Sequence, residues 1–547
     1  MSVTKFPRLT TKIRLAVLLA LICFVLALQL SGLTRIRQRL GLSYEFPSSL
    51  GPAYPPIERR LGEGVILKNV SHLPRIQFDF SQIKESRLER EDRERRRKSV
   101  KDGFIHAWNG YKKCAWGHDE IRPVSCQPND PFAGWGATLV DSLDTLFIMG
   151  LKDQFDEAVE HLKKVDFTKA DDPISLFETV IRYLGGLLSA YELSGEPLLL
   201  QKAIYLAEAL TPAFSTPSGI PFNRWHMNKG YENIWSTRYA ILAEAGTLQL
   251  EFMKLAEITG NSTYFHLVQK IIDTLDRAEK RIPGLYPLSI DTETGTFTSE
   301  TISFGALGDS FYEYLLKQHL YVGGALDQYR RMYNESVNGM IQYLVKEGHY
   351  AGKRELLFLG QLSYEQYIRK MEHLTCFVPG MVAMGAKILN RPSDLEIAEG
   401  LAESCYWAYN STMSGIGPED FRFDIAGQPE TMPPEANGVY KLRPETIESL
   451  FILYRITGDK IYQDKGWAIW QAIQKHCKTE WAYSGLRNVM VEDTVQNDNM
   501  ESFFLAETLK YLYLLFSPPN VISLDTYVLN TEAHPLLRLY HTQPHAA

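Results

Sequence analysis

From about residue 99 onward, apolar positions recur at the three-to-four-residue spacing of α-helices, and almost no stretch alternates as a strand does. The periodicity predicts helices over Ala137–Leu151, Ile174–Leu193, Leu198–Pro212, Trp235–Thr259, Thr263–Ile282 and Ser310–Val322. It continues over Leu326–Glu347, Val378–Leu389, Leu395–Tyr409, Arg443–Thr457, Lys460–His476 and Met500–Phe516. Short turns of Gly, Pro and Asp separate them. Several are apolar on more than one side, as in Leu184-Gly-Gly-Leu-Leu-Ser-Ala-Tyr191, so they must be packed on both faces. Such helices form paired layers, either a solenoid or a closed α/α barrel. No fixed-period repeat supports the common solenoids. Periodicity alone does not decide closure.

Upstream the pattern differs. Lys5, Arg8, Lys12 and Arg14 precede an apolar run from Leu15 to Leu30 that extends through Leu33. No small-x-small cleavage site follows, so a single-span signal anchor fits better than a cleaved signal peptide. The expected division is a cytosolic tail over 1–14, a transmembrane anchor over 15–33, a luminal stem over 34–98 and an all-α body over 99–540. Arg35, Arg37 and Arg39 beyond the span blunt the charge argument for orientation. The stem carries Pro47, Pro52, Pro55, Pro56 and Pro74, then the charge run Lys84–Lys98, a solvated helix or a disordered arm. Asn69, Asn261, Asn334 and Asn410 begin glycosylation sequons, which suits a luminal body.

Composition adds exclusions. The 547 residues are 45% hydrophobic and 22% charged, with a net charge of −7, which is globular and gives no basic footprint for nucleic acid. Acidic residues interleave the basic ones even in the charge run. The 12% aromatic content serves a large helical core as well as sugar stacking. Six cysteines occur without a CxxC pair, so a zinc ribbon is not expected.

The unusual feature is carboxylates on helices that should be interior, where unpaired charge is costly. Glu178 and Arg182 stand at i,i+4 on an apolar helix, a pattern that an ordinary ion pair also explains. Asp141 and Asp144 repel at i,i+3 amid apolar neighbours. Pro444 opens a helix whose first turns carry Glu445 and Glu448, where dipole complementation is the simple alternative. Asp309 reads as an N-cap, and Asn530-Thr-Glu-Ala-His-Pro535 as a polar loop. Paired carboxylates in a sugar site mean general acid and base or nucleophile. No HExxH, GxSxG, Walker A or EF-hand pattern competes. The residues alone support an all-α enzyme with an acidic cavity.

The motifs resemble glycoside hydrolase family 47, the class I α-1,2-mannosidases. The likeness runs from about His106 to Pro535. It is carried by His106-Ala-Trp-Asn-Gly-Tyr111, Gly117-His-Asp-Glu-Ile-Arg-Pro123, Gly136–Leu146, Phe177–Tyr191, Gly308–Lys317, His373-Leu-Thr-Cys-Phe377, Leu442–Leu450, Glu501–Lys510 and Asn530–Pro535. The resemblance implies one (α/α)7 barrel, plugged at one end by a β-hairpin and open at the other as a glycan cleft. It also implies calcium-dependent, inverting removal of α-1,2-linked mannose from high-mannose N-glycans in the Golgi or endoplasmic reticulum. Glu178 resembles the acid, acting through a water, and Glu445 the base. Asp309 resembles a third essential carboxylate that shares the acid duty in an unsettled way. Arg182, His373, Glu419, Glu448, Glu507 and Glu532 resemble cleft residues, Phe503 the ring that stacks on mannose, and Asp141 is grouped with them. Thr531 resembles the direct calcium ligand through its hydroxyl and carbonyl oxygens, which suit a hard cation.

By the same resemblance Cys376 and Cys405, 29 residues apart, form a disulfide, leaving Cys114, Cys126 and Cys477 unassigned. Leu307 stands where family members that remove one mannose carry Arg. It resembles instead the broader enzymes that trim nine mannoses toward five, since Leu lacks a guanidinium's fork of donors. A degradation-type relative or a silent glycan-binding lectin fits less well, because both cysteines and Glu178, Asp309 and Glu445 are all present.

Overall fold

A computed structural model describes residues 73–227, 238–350, 354–423 and 436–539, with isolated positions 61, 65, 67 and 433. The anchor expected at 15–33 and the sequon at Asn69 lie outside them. Among the described residues no helix is long and apolar enough to cross a membrane.

The chain is helix-rich, as the periodicity predicts. In chain order the helices are α1 (Arg87–Cys114), α2 (Ala137–Asp141), α3 (Leu143–Ile148), α4 (Lys152–Leu162), α5 (Gly185–Ser194), α6 (Pro197–Leu210), α7 (Gln249–Thr259) and α8 (Ser262–Arg277). They continue with α9 (Asp309–Tyr321), α10 (Asp327–Gly339), α11 (Val378–Ile388), α12 (Ser393–Asn410), α13 (Glu445–Thr457), α14 (Ile461–His476) and α15 (Leu509–Leu515). Packing divides them into two sets. In the first, α2 and α3 pack on α5, then α5 on α7, α7 on α9, α9 on α11, α11 on α13 and α13 on α15; the turn before α15 returns to α2 and α3. In the second, α1, α4, α8 and α10 each pack on one member of the first, and α6, α12 and α14 each bridge two neighbouring members. The sequence explains the split. α9 is buried from Ser310 to Tyr321 and α13 from Thr446 to Ile456, so both are enclosed all round. α8 buries Tyr264, Phe265, Val268, Ile271, Ile272 and Leu275, one stripe of an amphipathic helix.

Several boundaries differ from the periodicity. The single helix expected over Trp235–Thr259 contains a strand, Tyr239–Ile241, and a short helical turn, Leu242–Gly246, ahead of α7. The helix expected from Ile174 begins at Leu176, after a short strand, and widens into a π-turn over Thr179–Leu184. A second π-turn, Phe504–Thr508, precedes α15. Hydrophobic period does not register the one extra residue that a π-turn inserts. The helix expected over Leu326–Glu347 gives way at Val345 to a strand. The charge run is the solvated helix of its two expected readings, not a disordered arm: from Arg87 it lies in α1, much of it exposed. Ser86 and Glu89 close α1 with a capping box, and α1 runs on across the boundary expected at 98/99. Arg93 pairs with Glu85 at 2.7 Å, and the Arg95 and Arg96 guanidinia stack on Trp467 of α14.

Two short hairpins matter for the site. β1 (Glu120–Arg122) pairs with β2 (Gln127–Asn129), and β3 (Tyr527–Leu529) pairs with β4 (Pro535–Leu537). The tip of the second, Asn530–His534, packs against members of the first set and the π-turn before α5. Asn530 donates to Ile181 O (3.0 Å) and to Glu251 (2.8 Å). Lys510 Nζ donates to Ala533 O at 2.8 Å, and fully buried Lys254 to Leu537 O at 2.6 Å.

Cys376 and Cys405 are bonded, with Cα atoms 5.9 Å apart. Cys114 and Cys126 form a second disulfide, left unassigned by the sequence, which ties the end of α1 to the β1–β2 turn. Cys477 is free and buried. Cys376 follows His373 on one turn, and Cys405 precedes Tyr409 on α12, so the bond staples two elements whose side chains meet in the site. Cys376→Ser is expected to lower stability by about 3 kcal/mol in the chain-entropy picture of a closed loop. Urea unfolding checks this; an unchanged midpoint would contradict it.

Candidate active site

The candidate catalytic side chains sit at the starts of the enclosed helices. Asp309 begins α9, Glu445 begins α13, and Glu178 lies in the first turn leading to α5, its N–H on Ser175 Oγ at 3.3 Å. Helix N-termini carry free N–H groups and partial positive charge, so three carboxylates can gather there. Left-handed backbone adjoins two of these carboxylates, Leu307 (φ +73°) before Asp309 and Leu442 (φ +65°) before Glu445, and also Glu532, through Ala533 (φ +59°). Non-glycine residues held there are strained and persist only where the surroundings enforce them.

Glu445 is held as an anion. Burial opposes its charge, but His373, whose Nδ1 lies 2.6 Å from Oε2, and Arg443, 3.8 Å from Oε1, keep its pKa below the ordinary Glu value. His373 Nε2 meets Tyr409 Oη at 2.7 Å, and its backbone N–H donates to Glu419 O at 2.8 Å. Arg443 grips Glu419 through two contacts, one of 2.7 Å, and holds the Glu419 pKa down against burial. Asp309 is the opposite case. Burial first, and then the negative charges of Glu313 and Glu445, raise its pKa to about 7 despite a 2.8 Å bond from the Ser310 N–H.

Arg182 organises the Glu178 side. Its Nε donates to Glu178 at 2.8 Å and its Nη1 to Ser502 at 3.1 Å, while Glu532 and Asp141 also face it. The guanidinium lies 4.9 Å from the Phe132 ring centre and 5.8 Å from that of Phe503. Deeper in, Glu448 accepts from Tyr511 at 3.2 Å and faces Lys317 at 3.7 Å. Burial and its acidic neighbours push the Glu448 pKa up to about 8. Glu507 and Glu532 are shifted upward too, by burial and by mutual repulsion. The site therefore combines a stabilised carboxylate, a carboxyl that keeps its proton to neutral pH and a surplus of negative charge.

The profile of glycosyl hydrolase family 47 matches residues 103–538. The chain belongs to that family. It is 45% identical to a mannosyl-oligosaccharide 1,2-alpha-mannosidase of Arabidopsis thaliana, over 83% of this chain and 80% of that protein. It is 43% identical to the endoplasmic reticulum mannosyl-oligosaccharide 1,2-alpha-mannosidase of Homo sapiens, over 81% of this chain and 64% of that longer protein. The alpha-1,2-mannosidase from Trichoderma reesei superposes with a TM-score of 0.77 at 34% identity, covering 81% of this chain and 99% of that one.

Within this glycosyl hydrolase, the sequence-predicted residues fall into one continuous region, with two exceptions. Asp141 is fully buried beneath Ser502, Arg182 and His534, so a sugar cannot reach it; it supports Arg182 instead. Leu307 is 49% exposed, and the structure ties it to the body by its carbonyl, which accepts from Ala243 N at 2.9 Å. Sequence reasoning missed Arg443, Tyr409, Tyr511 and Ser502, which come from distant segments. It also passed over Glu313–Lys317, whose i,i+4 spacing was a readable signal.

Thr531, half-exposed at the hairpin tip, donates its N–H toward Tyr314 Oη at 3.3 Å. Among the described residues no three His, Cys, Asp or Glu side chains are gathered closely enough to hold a metal directly. The surroundings offer oxygen, negative charge and no thiolate. That chemistry fits a hard cation bound by Thr531 oxygens and completed by water.

Arg182→Met should leave Asp141 and Glu532 buried without their shared cation, at a cost of about 3–5 kcal/mol. Denaturant unfolding measures this, and wild-type stability in the variant would show that Arg182 is not the central counter-charge.

Proposed function

We propose that this chain hydrolyses terminal α-1,2-linked mannose from high-mannose N-glycans, from nine mannoses toward five, with inversion and in support of glycoprotein processing. The single observation that carries the chemistry is the opposed setting of Glu445 and Asp309 in a family 47 enzyme. Glu445 takes the proton of an attacking water, while His373 and Arg443 keep it ionised and oriented. Asp309 stores a proton near neutral pH, and Glu178, fixed by Arg182, reaches the leaving oxygen through a water. Phe503 offers its ring to the mannose. Inversion calls for acid and base roughly 6.5–9.5 Å apart, leaving room for the water.

We place calcium at Thr531, with Glu448, Glu507 and Glu532 holding its waters. When bound, it orients the sugar hydroxyls and offsets the negative surplus. The helix packing order supports an (α/α)7 barrel, with β3–β4 as the hairpin plug. We retain the anchor at 15–33 and a luminal body in the Golgi or endoplasmic reticulum. Two disulfides suit that oxidising compartment.

Incubation of a nine-mannose glycan with the full chain, with and without a chelator, tests the reading. Cleavage of α-1,2 linkages that stops on exhaustive EGTA and returns with calcium is expected; full activity after EGTA would refute the metal assignment. Glu445→Gln should lower kcat by at least about 10²-fold while glycan binding persists. The rate should rise with pH as Glu445 loses its proton, below the ordinary Glu range, and fall through about pH 7 as Asp309 loses its own. A plateau from pH 7 to 9 would contradict this role for Asp309.

Leu307 concerns specificity. It stands two residues before Asp309 on exposed backbone, where an apolar side chain favours no single glycan branch. Leu307→Arg leaves the backbone strain unchanged but adds charged donors, and one extra hydrogen bond worth about 1.4 kcal/mol gives a tenfold preference. An isomer-resolved time course should show wild type passing smoothly to five mannoses and the variant pausing at one eight-mannose isomer. A wild-type pause at that stage would overturn the assignment.

A further inference from the structure

We propose that His534 is a positioning residue for the reaction: it locks Asp141 and thereby, through Ser502 and Arg182, fixes Glu178. The proposal rests on the mannosidase reading above.

His534 is fully buried at the base of the hairpin tip. Its Nδ1 lies 2.7 Å from Asp144 Oδ2 and its Nε2 3.3 Å from Asp141 Oδ1. A ring with a carboxylate at each nitrogen donates on both sides, as an imidazolium. Burial opposes that charge, yet Asp144 and the hydrogen bonds that the ring donates to both carboxylates raise the pKa above the ordinary His value. Asp144 is itself anchored by Lys510 at 2.8 Å and Ser189 at 3.0 Å.

From Asp141 the chain runs outward. Ser502 donates its hydroxyl to Asp141 Oδ2, Arg182 Nη1 donates to Ser502 Oγ at 3.1 Å, and Arg182 Nε donates to Glu178 at 2.8 Å. All members except Glu178 are buried, so none can exchange its partner for water without opening the core.

The fold reserves space for this ring. A Cβ on Gly186 of α5 would lie 3.3–3.4 Å from His534 Cε1 and Nε2, and one on Gly185 would lie 3.1 Å from Cδ2. The ring's direction is also set from behind. The His534 N–H donates to Asn530 Oδ1 at 2.8 Å, and its carbonyl accepts from Asn530 N at 3.0 Å.

The test is His534→Gln in the full chain, which cannot bridge both carboxylates. We measure kcat and KM on a nine-mannose glycan, and calcium affinity by calorimetry. The expected result is a kcat loss of about 10- to 100-fold, the scale of a small misplacement, with KM and calcium affinity nearly unchanged. In an Arg182→Lys background the same substitution should cost much less, because the two act along one path. Unchanged kcat, a loss confined to KM or calcium affinity, or full additivity with Arg182→Lys would overturn the proposal. If His534→Gln does not fold, Ser502→Ala interrupts the same path and is judged by the same criteria. A wild-type chain that cleaves nothing overturns the mannosidase reading instead.

Discussion

The architecture turns on one constraint: more carboxylates are buried at the centre of the helices than there are cations to balance them. Asp141, Asp144, Asp309, Glu313, Glu445, Glu448, Glu507 and Glu532 lie close together, faced by Arg182, Lys317, His373, Arg443, Lys510 and His534. Isolated buried charge costs several kcal/mol per ion, so each group must find a partner or keep its proton. Both solutions occur. Asp144, with Lys510 and His534 around it, stays ionised with its pKa near 2 despite full burial. Glu448, short of cations, shifts to about 8. The difference between neighbouring environments leaves Glu445 ionised, keeps a proton on Asp309 to about neutral pH and raises Glu448 further, all within one cluster.

The fold makes that density tolerable. Helices enclosed on all sides deliver their N-termini to the cluster, so backbone N–H groups and dipoles meet the carboxylates. The β3–β4 hairpin brings Thr531, Glu532 and His534 into the same space and is tied by Asn530, Lys510 and Lys254. Strained backbone at Leu307, Leu442 and Ala533 lies beside the chemistry, where surrounding packing can enforce it.

Much of this was legible in the chain. The all-round apolar pattern of Leu184–Tyr191 foretold an enclosed helix, and α5 is buried from Gly185 to Tyr191. The spacings of Glu178 to Arg182 and Glu445 to Glu448 placed those pairs on shared faces, as found. Other features were hidden for definite reasons. A π-turn adds a residue without altering composition, so Thr179–Leu184 read as plain helix. The strand Tyr239–Ile241 is apolar enough to extend a helical pattern, and tertiary pairing with Ser289–Asp291 decides its state. Asp141 was grouped with the sugar-binding residues, yet its burial depends on Ser502 and His534, hundreds of positions away. The Lys84–Lys98 charge run left a solvated helix and a disordered arm open; it is the helix, with Arg87, Glu89, Arg90, Glu91 and Lys98 exposed, and the aromatic partners of Arg95 and Arg96, Trp467 and Phe516, come from the far end of the chain.

The central claim is that Glu445 activates water and never bonds to the sugar. Proton NMR of the first mannose released, recorded before mutarotation, tests it most directly. The account predicts that the β anomer appears first from the α-linked substrate. Initial release of the α anomer would mean two displacements through a covalent intermediate, and would contradict it.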